Sequence, residues 1–181
     1  MQKIDKIALV DAALTGKPVE RIPYSLWYHF PPDAVRANAC ADAHIAHYRR
    51  YDLDYIKVMN DNPYDMPASM PVVALAKDYL KLQPLTGDEP GFKYQLEALH
   101  EMKRHVGSEV RFVVTIFGPF ATAMKISRQR AVEHLREDPE AFEHGVTVLA
   151  KSLSNFAVKA LAAGASGIFL AASGAEPSML S

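Results

Sequence analysis

Residues 163–181 read AGASGIFLAASGAEPSMLS, and the fold turns on this stretch. Ala163-Gly164-Ala165 closes a helix. Gly167 to Ala172 is short, apolar and bounded by small residues, as expected of a buried strand in a parallel sheet. Such a strand needs cover on both faces, and the turn-rich residues after Ala172 are too few to form a covering helix.

Working outward, the segment leading up to Ala163 carries Val146, Leu149, Leu153, Phe156, Ala160 and Gly164 at helical spacing, which predicts a long helix. It starts after a break at Asp138-Pro139, and a shorter helix follows Pro119. VRFVVTIFG, residues 110–118, is the strongest strand of the chain, β-branched and almost wholly apolar. Gly91 to Val106 predicts a helix with Leu96, Leu99, Met102 and Val106 on one face, ended by Gly107. YDLDYIKVMN (51–60) is a second strand, running into the turn-rich NDNPYDMPASMP (60–71), while 72–89 carries no decisive pattern. RIPYSLWYHF (21–30) is bulky and aromatic enough for a further strand. Helices are expected over 33–50 and 4–15, the latter with Ile4, Ile7, Val10 and Leu14 as its stripe.

Strand and helix therefore alternate through four strands, the pattern of a parallel α/β fold. The uncovered last strand favours half of an eight-stranded barrel over a small open sheet. The expected fold class is α/β, a partial (β/α)8 TIM barrel of about the first four βα units. Residues 1–181 form a single N-terminal half in this reading, truncated relative to a full barrel. An open half leaves an unpaired strand edge and an apolar sheet face, so a homodimer or association with a C-terminal half is expected.

Composition excludes several classes of function. A net charge of −1 and the lack of a basic stripe give no footprint for nucleic acid. No apolar run approaches the roughly 20 residues of a membrane span. The N-terminus has no long apolar core of a secretion signal, so a cytoplasmic location is expected. Cys40 is the only cysteine, which rules out a disulfide framework or a multi-cysteine zinc site within one chain.

In parallel α/β folds, chemistry gathers at the carboxyl ends of strands. That rule selects Trp27 to Phe30, Met59 to Asn62, Phe117 to Phe120, and Ala172 to Gly174. His29 is a candidate general base or anion-binding group, or a hydrogen-bonded structural histidine. Asp61 is a candidate acceptor for a cationic or N–H-rich ligand, or an Asx-turn residue. Lys57 stands inside a strand, where it reaches either a ligand or solvent. Trp27, Asn60, Phe120, Lys125 and Ser173 complete the candidate substrate-binding set. His44 and His47 share a helix face with Cys40, but a fourth metal ligand is lacking, and no metal site is assigned. Neither a phosphate-binding glycine loop nor a G-x-S-x-G elbow occurs.

Four stretches in order, ERIPYSLWYHFP, YDLDYIKVMND, TIFGPFATAMKI and AGASGIFLAASGA, resemble the uroporphyrinogen decarboxylase family. The resemblance implies a (β/α)8 barrel and the family activity, decarboxylation of uroporphyrinogen in porphyrin biosynthesis. It implies that Asp61 takes pyrrole N–H groups and that Ser173 matches the serine at the fourth strand end. An aspartate normally precedes that serine, and here Ala172 stands in its place. The family's tyrosine after the third strand has no counterpart; Met124 or Lys125 occupies its region. The arginine-rich RQAGR segment of the decarboxylases, which grips substrate carboxylates, is replaced by YHFPP. The resemblance therefore implies a divergent carboxylated or tetrapyrrole-like small-molecule substrate and no cofactor. A corrinoid-linked methyltransferase-like protein is the alternative within the family, and only that branch would bring zinc. An inactive truncated ligand-binding fragment is the alternative outside catalysis.

Overall fold

The computed structural model describes residues 4–174; the last residues of the turn-rich tail lie outside the described part. In chain order the elements are α1 (Lys6–Leu14), α2 (Ala37–Tyr51), β1 (Tyr55–Val58), α3 (Pro90–Val106), β2 (Arg111–Phe117), α4 (Pro119–Ile126), α5 (Ala131–Glu137), α6 (Pro139–Ala162) and β3 (Gly167–Ala171). Short 3-10 turns cover Pro32–Ala34 and Ala76–Lys81, the second within the stretch that has no sequence pattern. The chain is α/β, with its three described strands in one sheet of order β1-β2-β3. β1 and β2 are parallel, Tyr55 opposite Arg111 and Lys57 opposite Val113. The Ser166 N–H donates to Phe112 O and the Gly118 N–H to Ala171 O, so β3 runs the same way.

The chain divides into two compact units. One comprises Met1–Asn62, Tyr94–Thr115 and Lys159–Phe169; the other comprises Pro63–Lys93, Ile116–Val158 and Leu170–Ser181. In the first unit, Ile56, Val58, Phe112 and Val114 are almost wholly buried on one sheet face, where α2 packs against β1. α3 turns Gln95, Ala98, Leu99, Met102 and Val106 inward, and all five are fully buried. The other sheet face behaves differently. Tyr55, Lys57, Arg111 and Val113 alternate with the buried residues and stay half-buried. β3 is not the buried strand its composition predicts: Phe169 is 43 % and Leu170 61 % exposed. Composition records that a strand is apolar but not whether a neighbour covers it.

The second unit gathers around Tyr79, Phe142, Leu149, Leu82 and Val73, all buried. Gly145 of α6 is required there, since a Cβ at that position would overlap the Tyr79 ring. Ser152, fully buried, donates its hydroxyl hydrogen to Val148 O and accepts from the Tyr64 hydroxyl and the Leu85 N–H. That knot of bonds ties the loop before α3 to α6.

Two further sequence expectations change. Residues 21–30 form an extended segment without ladder pairing, where a first strand is expected. Pro23 lacks an N–H to donate, and apart from the Asp54 N–H to Tyr24 O bond the segment's backbone bonds go to the side chains of Asp54 and His47. α1 buries Val10 of the expected stripe together with Leu9, which lies off it, while Ile4 and Ile7 are half-buried and Leu14 is 80 % exposed.

His44 and His47 have structural roles. His44 is buried; its Nδ1–H donates to Cys40 O at 2.8 Å, and its Nε2 accepts the Met59 N–H at 2.9 Å. Both ring nitrogens are thereby used, joining α2 to the end of β1. Burial lowers the His44 pKa from 6.5 to about 4, against the opposing effect of the Cys40 carbonyl. The unfolded chain thus takes up a proton near 6.5 that the folded chain refuses until about 4. Stability contributed by His44 is complete above 6.5 and declines as pH falls through that window. Urea titrations at pH 7 and pH 4.5 should show wild type losing about 2–3 kcal/mol more than His44→Gln. Equal losses in the two proteins would contradict this.

Candidate functional site

The first unit organises its site around the extended segment 21–30. Arg21 forms a bidentate pair with Asp54, whose side chain is 0 % exposed, with Nη2 to Oδ1 at 2.7 Å. The Tyr24 N–H donates to the same carboxylate at 3.0 Å, and the Asp54 N–H donates to Tyr24 O. Burial alone would raise the Asp54 pKa, but Arg21 and the Tyr24 N–H outweigh it and hold the group below the usual range. Further along, His47 Nε2 donates to Leu26 O at 3.1 Å.

Extended backbone sends successive side chains to opposite sides. Tyr28 and Phe30 go to α2: the Phe30 ring lies 4.7 Å from His44, and Tyr28 stacks on His47 at 6.2 Å. Trp27 and His29 go the other way. His29 Nδ1 sits 2.9 and 3.0 Å from the two Asp61 oxygens. A carboxylate only accepts, so the proton of this bond belongs to Nδ1, and Nε2 is left for a ligand. Trp27 meets the His29 ring edge-on at 5.2 Å. Its own ring receives the Lys57 ammonium 4.7 Å from the centroid, and Phe169 receives the same ammonium at 3.8 Å. Four predicted residues, Trp27, His29, Lys57 and Asp61, thus form one connected cluster.

Asp61 is 24 % exposed at its side chain, held but reachable. The turn that presents it is fixed from behind. Asn62 Nδ2 donates to Gln95 Oε1 at 3.1 Å and to Val35 O at 3.2 Å. Gln95 Nε2 in turn reaches Met59 O at 3.3 Å. Asn60 lies in this turn too, its Oδ1 3.4 Å from Asn62 Nδ2, so it braces the loop. Sequence reading misses Gln95 and Asp54, and it places Asn62 at a strand end without giving it a role. Gln95 leaves a signal: an amide among the apolar residues of the inner face of α3.

Phe120, Lys125 and Ser173 belong to the second unit. Phe120 packs on that unit's core, 6.2 Å from Phe142, with Gly174 turned tightly against its edge at φ +82°. Lys125 is exposed, its ammonium 3.3 Å from the centroid of Phe117. Ser173 is exposed just after β3.

Among the described residues no group of three His, Cys, Asp or Glu side chains is placed to hold a metal ion. Cys40 is no thiolate ligand: burial, reinforced by the Asp61 charge, pushes its thiol up to about 12. Among the described residues, no helix is long and apolar enough to cross a membrane.

The family model described as Uroporphyrinogen decarboxylase (URO-D) matches residues 59–181. No curated protein matches the chain. Asp61, Phe120, Lys125 and Ser173 fall inside the matched span; Trp27, His29 and Lys57 precede it.

The Asp54 clamp is what places Trp27 and His29. Arg21→Ala should release the segment, speeding hydrogen exchange at the Asp54 amide by about tenfold or more. The Met59 amide, bonded to His44, should keep its protection. Unchanged exchange at Asp54 would mean that the segment is held by something else.

Proposed function

We infer that this chain, which belongs to the uroporphyrinogen decarboxylase family, binds a carboxylated or tetrapyrrole-like small molecule against Asp61 and His29. The observation that carries this reading is the His29–Asp61 pair, reachable from solvent after β1 and walled by Trp27. An ionised carboxylate can accept several N–H groups of one ligand, which suits pyrrole-type rings.

The family activity supplies the reaction type. In a decarboxylation of this kind, a proton added to a pyrrole ring makes it cationic. The electrons of the breaking C–C bond then flow into that ring as CO2 departs. A proton from solvent adds to the carbon that lost CO2, and the ring gives back the proton it took up. Asp61 would stabilise the cation, and no other anionic group of the cluster is needed for that role. His29, hydrogen-bonded through Nδ1, would use Nε2 to hold one ligand carboxylate or to pass a proton. One imidazole in the place of an arginine cluster favours a ligand with fewer carboxylates than uroporphyrinogen.

Calorimetric titration with a porphyrinogen bearing fewer carboxylates than uroporphyrinogen, and with uroporphyrinogen beside it, under reducing, anaerobic conditions tests the reading. Asp61→Ala should weaken binding by about tenfold or more, the worth of a hydrogen bond to a charged group. Released CO2 during the titration would identify turnover as well as binding. Equal affinity in wild type and Asp61→Ala would remove Asp61 from the site.

A further inference from the structure

We propose that Lys57 is a carbonyl-capturing amine, which with Trp27, Phe169 and the adjoining groove takes an aldehyde or ketone of apolar body as an imine. The inference stands on residues other than Asp61 and His29. Lys57 occupies the third position of β1, between the buried Ile56 and Val58, and its side chain leaves on the half-buried sheet face. Its ammonium lies against two aromatic rings, and no carboxylate of the described residues pairs with it. Lys6 and Lys81, by contrast, sit on Asp52 and Asp78.

The two ring faces attract the ammonium, whereas the half-buried setting withholds water from it and favours the neutral, nucleophilic amine. Burial lowers the Lys57 pKa from its usual 10.5, in the direction this chemistry needs. Beside it runs a groove of about 670 Å³. Tyr55, Val113, Ile168 and Phe169 line it, and the Asp11–Arg111 ion pair forms its polar end, with Nε to Oδ1 at 3.0 Å. Val113 is the cross-strand partner of Lys57 and Phe169 touches its ammonium, so two residues that line the groove adjoin the amine. Because Asp11 already neutralises Arg111, the groove suits an apolar body better than a second acid group.

The step balances without a further reactant. The neutral amine attacks the carbonyl carbon, the C–N bond forms, and the carbonyl π electrons move to oxygen. Proton transfer from nitrogen to that oxygen gives a carbinolamine, which loses water to leave the C=N bond. Nothing is oxidised or reduced until an added hydride donor reduces the imine to a secondary amine.

Benzaldehyde with sodium cyanoborohydride, applied to the full chain at limiting aldehyde, reads this directly by peptide mass mapping. Lys57 should carry the benzyl adduct about tenfold more often than any other lysine. In Lys57→Arg, which keeps the charge, only the slow background at surface lysines should remain. Trp27→Ala should reduce the preference for Lys57. Wild-type labelling spread evenly over the lysines would overturn the proposal, and so would a Lys57→Arg protein labelled at the wild-type rate.

Discussion

The buried carboxylate of Asp54 is the constraint on which the first unit's candidate site depends. A charge with no exposed side-chain surface must be satisfied from within, and Asp54 takes the Arg21 fork and the Tyr24 N–H. Meeting that demand fixes where residues 21–24 run. The backbone beyond them, still extended, then divides its side chains between α2 and the half-buried sheet face. Tyr28 and Phe30 anchor it; Trp27 and His29 are delivered to Lys57 and Asp61. One ion pair thereby converts a local backbone path into a cluster of reactive groups.

The cluster is chemically mixed. It holds one carboxylate, one imidazole, one amine and two aromatic rings, and no guanidinium. An arginine set would grip several carboxylates at fixed angles, whereas this set offers a single strong acceptor and soft apolar walls. Second-line residues make the acceptor rigid: Gln95 and Asn62 hold the turn, and His44 holds the Met59 amide. Such support limits the reorganisation that a ligand would otherwise have to drive.

Much of this was legible in the sequence, and the failures have physical causes. VRFVVTIFG announces β2 as a β-branched, largely apolar run, and YDLDYIKVMN announces β1 through Tyr55, Ile56 and Val58 ahead of a turn-rich loop. The helices α3 and α6 are long enough for their periodicity to stand out. RIPYSLWYHF suggested a ladder strand because its aromatic content suits one. Its partners are the Asp54 amide and the side chains of Asp54 and His47, and no periodicity encodes those. Asp61, His29 and Lys57 were visible as polar residues at or near strand ends. Asp54 was not, since an aspartate in a strand reads as an outward polar position until a partner 33 residues away is known. The uncovered face of the sheet was likewise beyond reach, because burial belongs to neighbours and not to composition.

Trp27 is the chain's only tryptophan and stands between Lys57 and His29, so its fluorescence reports this cluster alone. The most direct test of the account is the emission of Trp27 during titration with a porphyrinogen bearing fewer carboxylates than uroporphyrinogen, excited where the ligand does not absorb. A saturable change in emission, following the same isotherm as the heat of binding, is the predicted result. Heat of binding with unchanged Trp27 emission would place the ligand elsewhere and contradict the assignment of this cluster as the site.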